Sequence, residues 1–402
     1  MMLELDVLYV TQTLLIAAVL YFACLKAPRM LRIQVLVWAF GVTAISLRYG
    51  LWEQLNFYSN DQFYYHNILR TLTYWSWPSN EPANLAWWLS VSKFPYPLPA
   101  LPLAIAGIHP ELALKTVSLI CLLALSRDMI SRYGASSFKD QIIALYLTGC
   151  GVIGTFFSLL ALRETMMMYL VYRYATDKSI VGRLISIFII FLLRSHLAAA
   201  LIIGELALAG WNWFMKNRKI GYAELPVLLI GGVTLGYTIF NLQFSNMQGL
   251  DAIGRLRTPF NGDLGIAGTT QIASNFVGLQ FLTQHESFVR LSISELLWLR
   301  LIFSDTVIVP LGFSIACVLT AHRMSERHKF ALLSFTIYVS IVTNTDFNSF
   351  RQNIPFVPLL GVMILDLLRD RRQNLITDDE VKSLSTDQSF ALMQQTKLTT
   401  HQ

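Results

Sequence analysis

The chain has 402 residues, 54% of them hydrophobic and only 14% charged, where a soluble domain carries about a quarter charged residues. Its net charge of +6 is dispersed in short clusters rather than in a long basic stretch interleaved with aromatics, which excludes nucleic acid as the partner that charge serves. The four cysteines (Cys24, Cys121, Cys150, Cys317) lie in apolar segments without metal-ligand spacing, and no Walker-type loop, CxxC pair, His-x-x-x-His or Ser/His/Asp pattern occurs, so ATP-driven work, a metal and any other cofactor lack sequence support.

Apolar runs recur from the N-terminus to about position 369. Runs of this kind suit helices crossing a hydrocarbon core of about 30 Å, where every backbone amide must be satisfied within its own segment. The first, near 6–25, is preceded by Glu4 and Asp6 and followed by Lys26, Arg29 and Arg32, the reverse of a signal peptide, so it is expected to stay as a helix with its N-terminus outside. Further helices are expected near 33–48, 98–126, 140–161, 163–177, 182–194, 197–214, 222–240, 300–320, 330–345 and 354–368.

Basic clusters fall at alternate turns: Lys26/Arg29/Arg32, Arg127/Arg132/Lys139, Lys178/Arg183, Lys216/Arg218/Lys219, Arg323/Arg327/Lys329 and Arg369/Arg371/Arg372. Positive charge marks cytoplasmic loops. The expectation is therefore an all-α polytopic bundle of about eleven passes over 1–372, N-terminus outside and C-terminus cytoplasmic. The tail 373–402 is polar and Thr/Gln/Ser-rich, and is expected to be disordered. Two long segments, about 49–95 and 241–299, fall outside; their aromatics and amphipathic stretches predict helices lying along the membrane surface.

Two runs admit a second reading. The 98–126 region is interrupted by His109-Pro110-Glu111, compatible with a re-entrant piece followed by one span. The 182–214 region carries Arg194 and His196 at its middle; one helix would bury both in lipid at several kcal/mol, so two short passes joined by a tight outer turn are expected.

With sidedness assigned this way, the outer cations are nearly all arginine: Arg48, Arg70, Arg163, Arg194, Arg255, Arg257, Arg290, Arg300 and Arg351, with Lys93 nearly alone as a lysine. Topology needs no positive charge there. Guanidinium forks grip phosphate and carboxylate oxygens bidentately and shed water more readily than ammonium does. Taken together the set predicts a polyanion site such as a pyrophosphate ester; taken singly, each arginine equally suits a local carboxylate or a lipid phosphate.

Asp61, flanked by Tyr64, Tyr65 and His66, is positioned to take a proton from a sugar hydroxyl, with the rings as stacking faces; its bland alternative is a cap for the helix beginning at Gln62. Arg163-Glu164 opens one helix and Arg194-Ser195-His196 turns the next hairpin. If the hairpins pack side by side, Arg163 and His196 share a cavity where His196 donates to phosphate or acts as acid/base; the alternative is a neutral histidine bonded to a neighbouring backbone. Arg351, before Pro355, either holds an anion or pairs with Asp346. His285 and Glu286 are alternative bases.

Arg48-Tyr-Gly, Asp61-x-x-Tyr64-Tyr65, Arg163-Glu164 opening a helix and His196 followed by small apolar residues together resemble the EpsG-like and Wzy-type polysaccharide polymerases of bacterial envelopes. In that family the matching helix commonly starts Arg-Gln and the histidine stands in a His-x-Ser-Ala context; here Glu164 replaces the Gln, and His196-Leu-Ala departs at the Ser. Arg351 before a proline-bearing helix is similar to the last outer loop of GT-C membrane glycosyltransferases. The resemblance implies a GT-C-like architecture that transfers an undecaprenyl-pyrophosphate-linked oligosaccharide to another lipid-linked repeat unit, as in O-antigen, capsule or exopolysaccharide synthesis. Its implied roles are Asp61 as base, Arg163, His196 and Arg351 on the pyrophosphate, and Arg255 and Arg257 on phosphate or glycan. A flippase and a chain-length regulator are its implied partners besides membrane lipid. Glu164, Arg48 and Arg194 complete the candidate set.

Other readings stay open: a single-sugar transferase with a polyprenyl-phosphate donor, a ligase, a glycan transporter and a non-catalytic scaffold. Transporters place ionisable groups near the bilayer midplane and often show inverted repeats, whereas here charge gathers towards one face and no repeat is visible.

Overall fold

The computed structural model describes residues 2–55, 61–74, 94–134, 137–216, 221–245, 305–320, 324–343 and 353–369, all helices and their connecting turns. Apolar side chains and scarce helix-breaking residues make α1 (Met2–Ala23) and α2 (Arg29–Leu55) a packed antiparallel pair, with Pro28 in the turn between them. Helix α2 continues beyond the expected 33–48, and α3 (Asp61–Tyr74) follows in the first long outer segment.

The 98–126 run takes its broken form. A 3₁₀ turn, Leu98–Ala100, leads into the short α4 (Leu101–Ile105); the chain then turns at Gly107, whose φ of 88° a side chain would resist, and α5 (Pro110–Tyr133) begins. Proline at the first helical position forfeits only an amide that would have no intrahelical partner. The 140–161 run differs from the single helix expected there. It divides into α6 (Phe138–Leu147) and α7 (Val152–Leu159), bent by 66°. Gly149, at φ 66°, makes the elbow, and Gly361 of the last helix lies so close that a Cβ there would come within 2.0 Å of the Leu147 carbonyl.

Next come α8 (Glu164–Thr176), α9 (Ile180–Leu193) and α10 (Ser195–Met215). Ser179 caps α9 by accepting the Gly182 amide. Only Arg194 separates α9 from α10, as the expected hairpin requires. Arg183 and Glu205, equally far in sequence from Arg194 on either side, meet at 2.5 Å, which fixes the pair as antiparallel. Helix α11 (Glu224–Ser245) and α10 both pack on α13 (Glu326–Thr343), while α12 (Asp305–Leu319) lies against the α6/α7 elbow. A 3₁₀ turn, Ile354–Phe356, packs on α8 and leads into α14 (357–369).

Helix α5 is the axis of the first half, touching α1, α2, α3, α6, α7 and α8. Helix α13 is buried along most of its length and plays that part in the second half. Outward faces are apolar: α1 exposes Leu14, Leu15, Val19 and Phe22, and α9 exposes Ile180, Leu184, Phe188 and Phe191. Apolar faces this extensive suit a hydrocarbon surround rather than water.

Each of the eleven expected runs carries helix. By length and apolarity, however, only Arg29–Arg48 and Ser195–Met215 among the described residues suffice to cross a membrane, with the bent α6/α7 pair as a third. For α8 and α9 the reason is length, 13 and 14 residues or about 20 Å at 1.5 Å per residue against about 30 Å of hydrocarbon; α5 and α13 are long enough but carry charge, Glu111, Lys115 and Arg127 in the one and Glu326, Arg327 and Lys329 in the other.

Candidate functional site

Two loci of buried polarity lie near one end of the helices, where α5, α8 and α10 begin. The first forms because α8 and α10 each start at an arginine. Arg163 precedes α8, is 6% exposed, and donates from Nη1 to the carbonyl of Leu193, at the end of α9, at 2.8 Å. Its buried Nε has no acceptor among the described residues. Arg194, in the single-residue joint, is 4% exposed; its Nη2 lies 3.5 Å from Oε1 of the fully buried Glu164, and its Nη1 donates to the Tyr338 hydroxyl at 3.3 Å. The half-buried His196 lays its ring parallel to that of Tyr338, centroids 5.7 Å apart and planes 11° apart.

The Arg194 guanidinium therefore faces the Glu164 carboxylate while that of Arg163 bonds the end of α9, beside the N-terminal ends of two helices, whose amides carry partial positive charge. The junction can hold an anion. In this arrangement Glu164 neutralises and orients Arg194 and is withdrawn from solvent. Arg163 and His196, expected in one cavity, do belong to one junction, joined through Arg194 and Tyr338.

The second locus is built by α1, α3 and the start of α5. Glu111 and Lys115, one turn apart on α5, form an ion pair at 2.7 Å with both side chains fully buried. Lys115 also donates to the Tyr9 hydroxyl at 3.2 Å. The His109 ring sits edge-on to Tyr9 and 5.4 Å from the His66 ring, while the His109 amide donates to Gln12 Oε1 at 3.0 Å. Burial first, then the Arg70 charge, lowers the His66 pKa to about 4; burial, then His66 and Lys115, lowers that of His109 to about 3, so both rings are neutral near pH 7.

Tyr64 and Tyr65, proposed as sugar-stacking faces, belong to this second locus. Tyr65 is buried edge-to-face against Tyr96 at 4.9 Å, leaving the half-buried Tyr64 the better placed of the two for stacking on a ligand. Tyr96 bonds Ser118 at 2.9 Å, and Ser118 donates to the carbonyl of Leu162 at 3.0 Å, one residue before Arg163. That relay joins the two loci.

Arg48 is exposed near the end of α2. Helix α3 starts at Asp61, the end at which either a base or a cap would stand. The Asp61 side chain, Arg255, Arg257, Arg351 and the alternative bases His285 and Glu286 lie outside the described residues, as do 75–93, 246–304 and 370–402.

Sequence reading missed the Glu111–Lys115 pair and Tyr338. The first had a signal: opposite charges four residues apart inside an apolar run, where an ionisable group is costly enough to need a purpose. Tyr338 had none, because an isolated tyrosine in an apolar helix becomes a ring platform only when α13 meets the α9–α10 joint.

No family model, no curated protein and no solved structure matches this chain.

Proposed function

We propose that the chain is a membrane glycosyltransferase that polymerises lipid-diphosphate-linked oligosaccharide repeat units at the outer face of a bacterial inner membrane, as the resemblance implies. One observation carries this reading: the junction of Arg163 and Arg194, buried together at the start of two helices with Glu164 as the carboxylate between those helices. Buried guanidiniums are expensive without an anion to engage, and a diphosphate leaving group is an anion that needs them.

In the step envisaged, the acceptor hydroxyl oxygen forms a bond to the anomeric carbon of the donor glycan while the bond from that carbon to the phosphate oxygen breaks. The electron pair leaves with the diphosphate. Asp61 takes the acceptor proton. Arg163 and Arg194 meet the charge that develops on the departing oxygens, a role worth several kcal/mol when the donors are preorganised. Glu164 holds Arg194 in place, and His196, seated on Tyr338, donates a further hydrogen bond. Arg48, Arg255, Arg257 and Arg351 keep the phosphate- and glycan-binding roles expected of them from the resemblance.

The topology that accompanies this reading has about eleven passes, N-terminus out and C-terminus in. The short α8 and α9 cross together with α10 as one packed unit rather than as isolated spans. Their joint at Arg194 then faces the periplasm, with Arg183 and Glu205 towards the opposite side.

The test is glycan chain length in cells lacking the gene and complemented with variants at matched protein level. Arg163→Ala and Arg194→Ala are each expected to cut polymer by about 100-fold or more, in the range of lost transition-state donors, with single-repeat lipid-linked glycan accumulating. Full-length polymer from either variant overturns the reading. Accumulation of a truncated repeat favours the single-sugar transferase instead.

A further inference from the structure

Two loci at one end of a bundle ask for two ligands of different chemistry. The arginine junction holds two buried guanidiniums, Arg194 paired with Glu164 and Arg163 bonded to the Leu193 carbonyl. At the α1/α3/α5 locus the buried charges pair with each other, Glu111 with Lys115 at 2.7 Å and both fully buried, and the further charge acting on His66 is that of the exposed Arg70. The rest of that locus is neutral hydrogen-bonding surface, namely the Tyr9 phenol and the His66 and His109 imidazoles. A diphosphate finds the exposed Arg70 there in place of two buried guanidiniums.

What the surface does hold is unmet hydrogen-bonding capacity. His66 is 6% exposed, yet its Nδ1 has no partner among the described residues, and the buried Nδ1 of His109 is in the same position. The two rings are 5.4 Å apart, tilted by 33°. A buried polar atom without a partner costs about 1–3 kcal/mol, and here two such atoms lie side by side. A neutral imidazole offers one donor and one acceptor, and a phenol both. That is the complement needed by a polyol, whose every hydroxyl also donates and accepts. Tyr9 accepts from Lys115, and the half-buried Tyr64 ring borders the locus from α3.

We propose that the α1/α3/α5 locus is a carbohydrate subsite that binds hydroxyls of the acceptor glycan through His66, His109 and Tyr9, with Lys115, held by Glu111, fixing the Tyr9 hydroxyl. This rests on the glycosyltransferase reading. The Tyr65–Tyr96–Ser118–Leu162 relay then sets acceptor and diphosphate side by side.

The experiment uses the purified full chain in lipid nanodiscs and two probes in equilibrium dialysis. One is inorganic pyrophosphate; the other is the radiolabelled repeat-unit oligosaccharide from gene-deleted cells, freed of its lipid diphosphate by mild acid. His66→Phe with His109→Phe is expected to weaken glycan binding at least tenfold and pyrophosphate binding less than twofold. Arg163→Ala is expected to do the opposite, and His66→Asn, which returns a polar group near the Nδ1 position, to recover at least a third of the lost glycan affinity. If the double phenylalanine variant does not fold, Tyr9→Phe takes its place, with an expected threefold loss. Glycan binding untouched by these changes, or a wild-type chain that binds pyrophosphate but not the glycan, overturns the subsite and leaves the glycosyltransferase reading standing. A chain that binds the glycan through the histidines yet does not bind pyrophosphate overturns the diphosphate role and leaves the subsite.

Discussion

At the α8/α9–α10/α13 junction, buried charge is shared between helices distant in sequence: Arg194 reaches Glu164 on α8 and Tyr338 on α13. At the α1/α3/α5 locus, the buried charge is closed within one turn of α5, between Glu111 and Lys115. A pair one turn apart is present whenever α5 is helical, whatever its neighbours do. A network between helices exists only when the bundle is assembled. The first arrangement therefore couples charge to tertiary structure, whereas the second makes the ion pair itself a local property of α5, from which Lys115 reaches Tyr9.

The comparison is broken or sharpened most strongly at Arg194. Arg194→Leu leaves the Glu164 carboxylate buried with less compensation, a loss of about 3–5 kcal/mol on removing one partner of a buried pair. It is expected to show as a large fall in the detergent-solubilised unfolding midpoint. Adding Glu164→Leu should recover much of that, and no recovery would mean that Glu164 is compensated chiefly by other groups.

Next is the α5 pair. Lys115→Met alone should cost about 3 kcal/mol for the same reason, whereas Glu111→Leu with Lys115→Met should come within about 1 kcal/mol of wild type, since replacing both partners of a buried pair by apolar residues of similar volume is often nearly neutral. A double variant as unstable as the single would show that the pair is wired into the network beyond α5, and the contrast drawn above would fail.

Last comes the response to pH. His66 and His109 carry pKa values lowered to about 4 and about 3 in the folded chain, against about 6.5 unfolded. Between these limits the unfolded chain binds more protons, so stability falls as pH drops from about 6.5 towards 3–4 and is insensitive to these groups above about pH 7. Unfolding midpoints at pH 7.5 and 5 should differ, and the difference should shrink in the His66→Phe/His109→Phe variant. Equal slopes would place the sensitivity in other groups.

How far the sequence carried can be judged at the same two places. The α9–α10 joint was legible because Arg194 and His196 cannot sit mid-span, so the cost of burying charge dictates a turn there. The break before α5 was legible as an alternative, through Pro110. The α6/α7 elbow was not: its cause is Gly149 at positive φ together with the close approach of Gly361, more than 200 residues away, and nothing near 148–151 announces that partner. Likewise the arginines could be gathered by sidedness. That Arg163 would bond the end of α9, and Arg194 the start of α8, depends on packing that no spacing encodes.

The joint between α9 and α10 is one residue long, and that residue carries a guanidinium of the candidate site. Loops usually give a ligand-binding side chain some play, and proteins then tune it by lengthening or stiffening the loop. Here there is no slack to adjust. The reach of Arg194 is inherited from how two helices lean on each other, so changes far down α9 or α10, at Arg183 or Glu205 for instance, are levers on the chemistry at the tip.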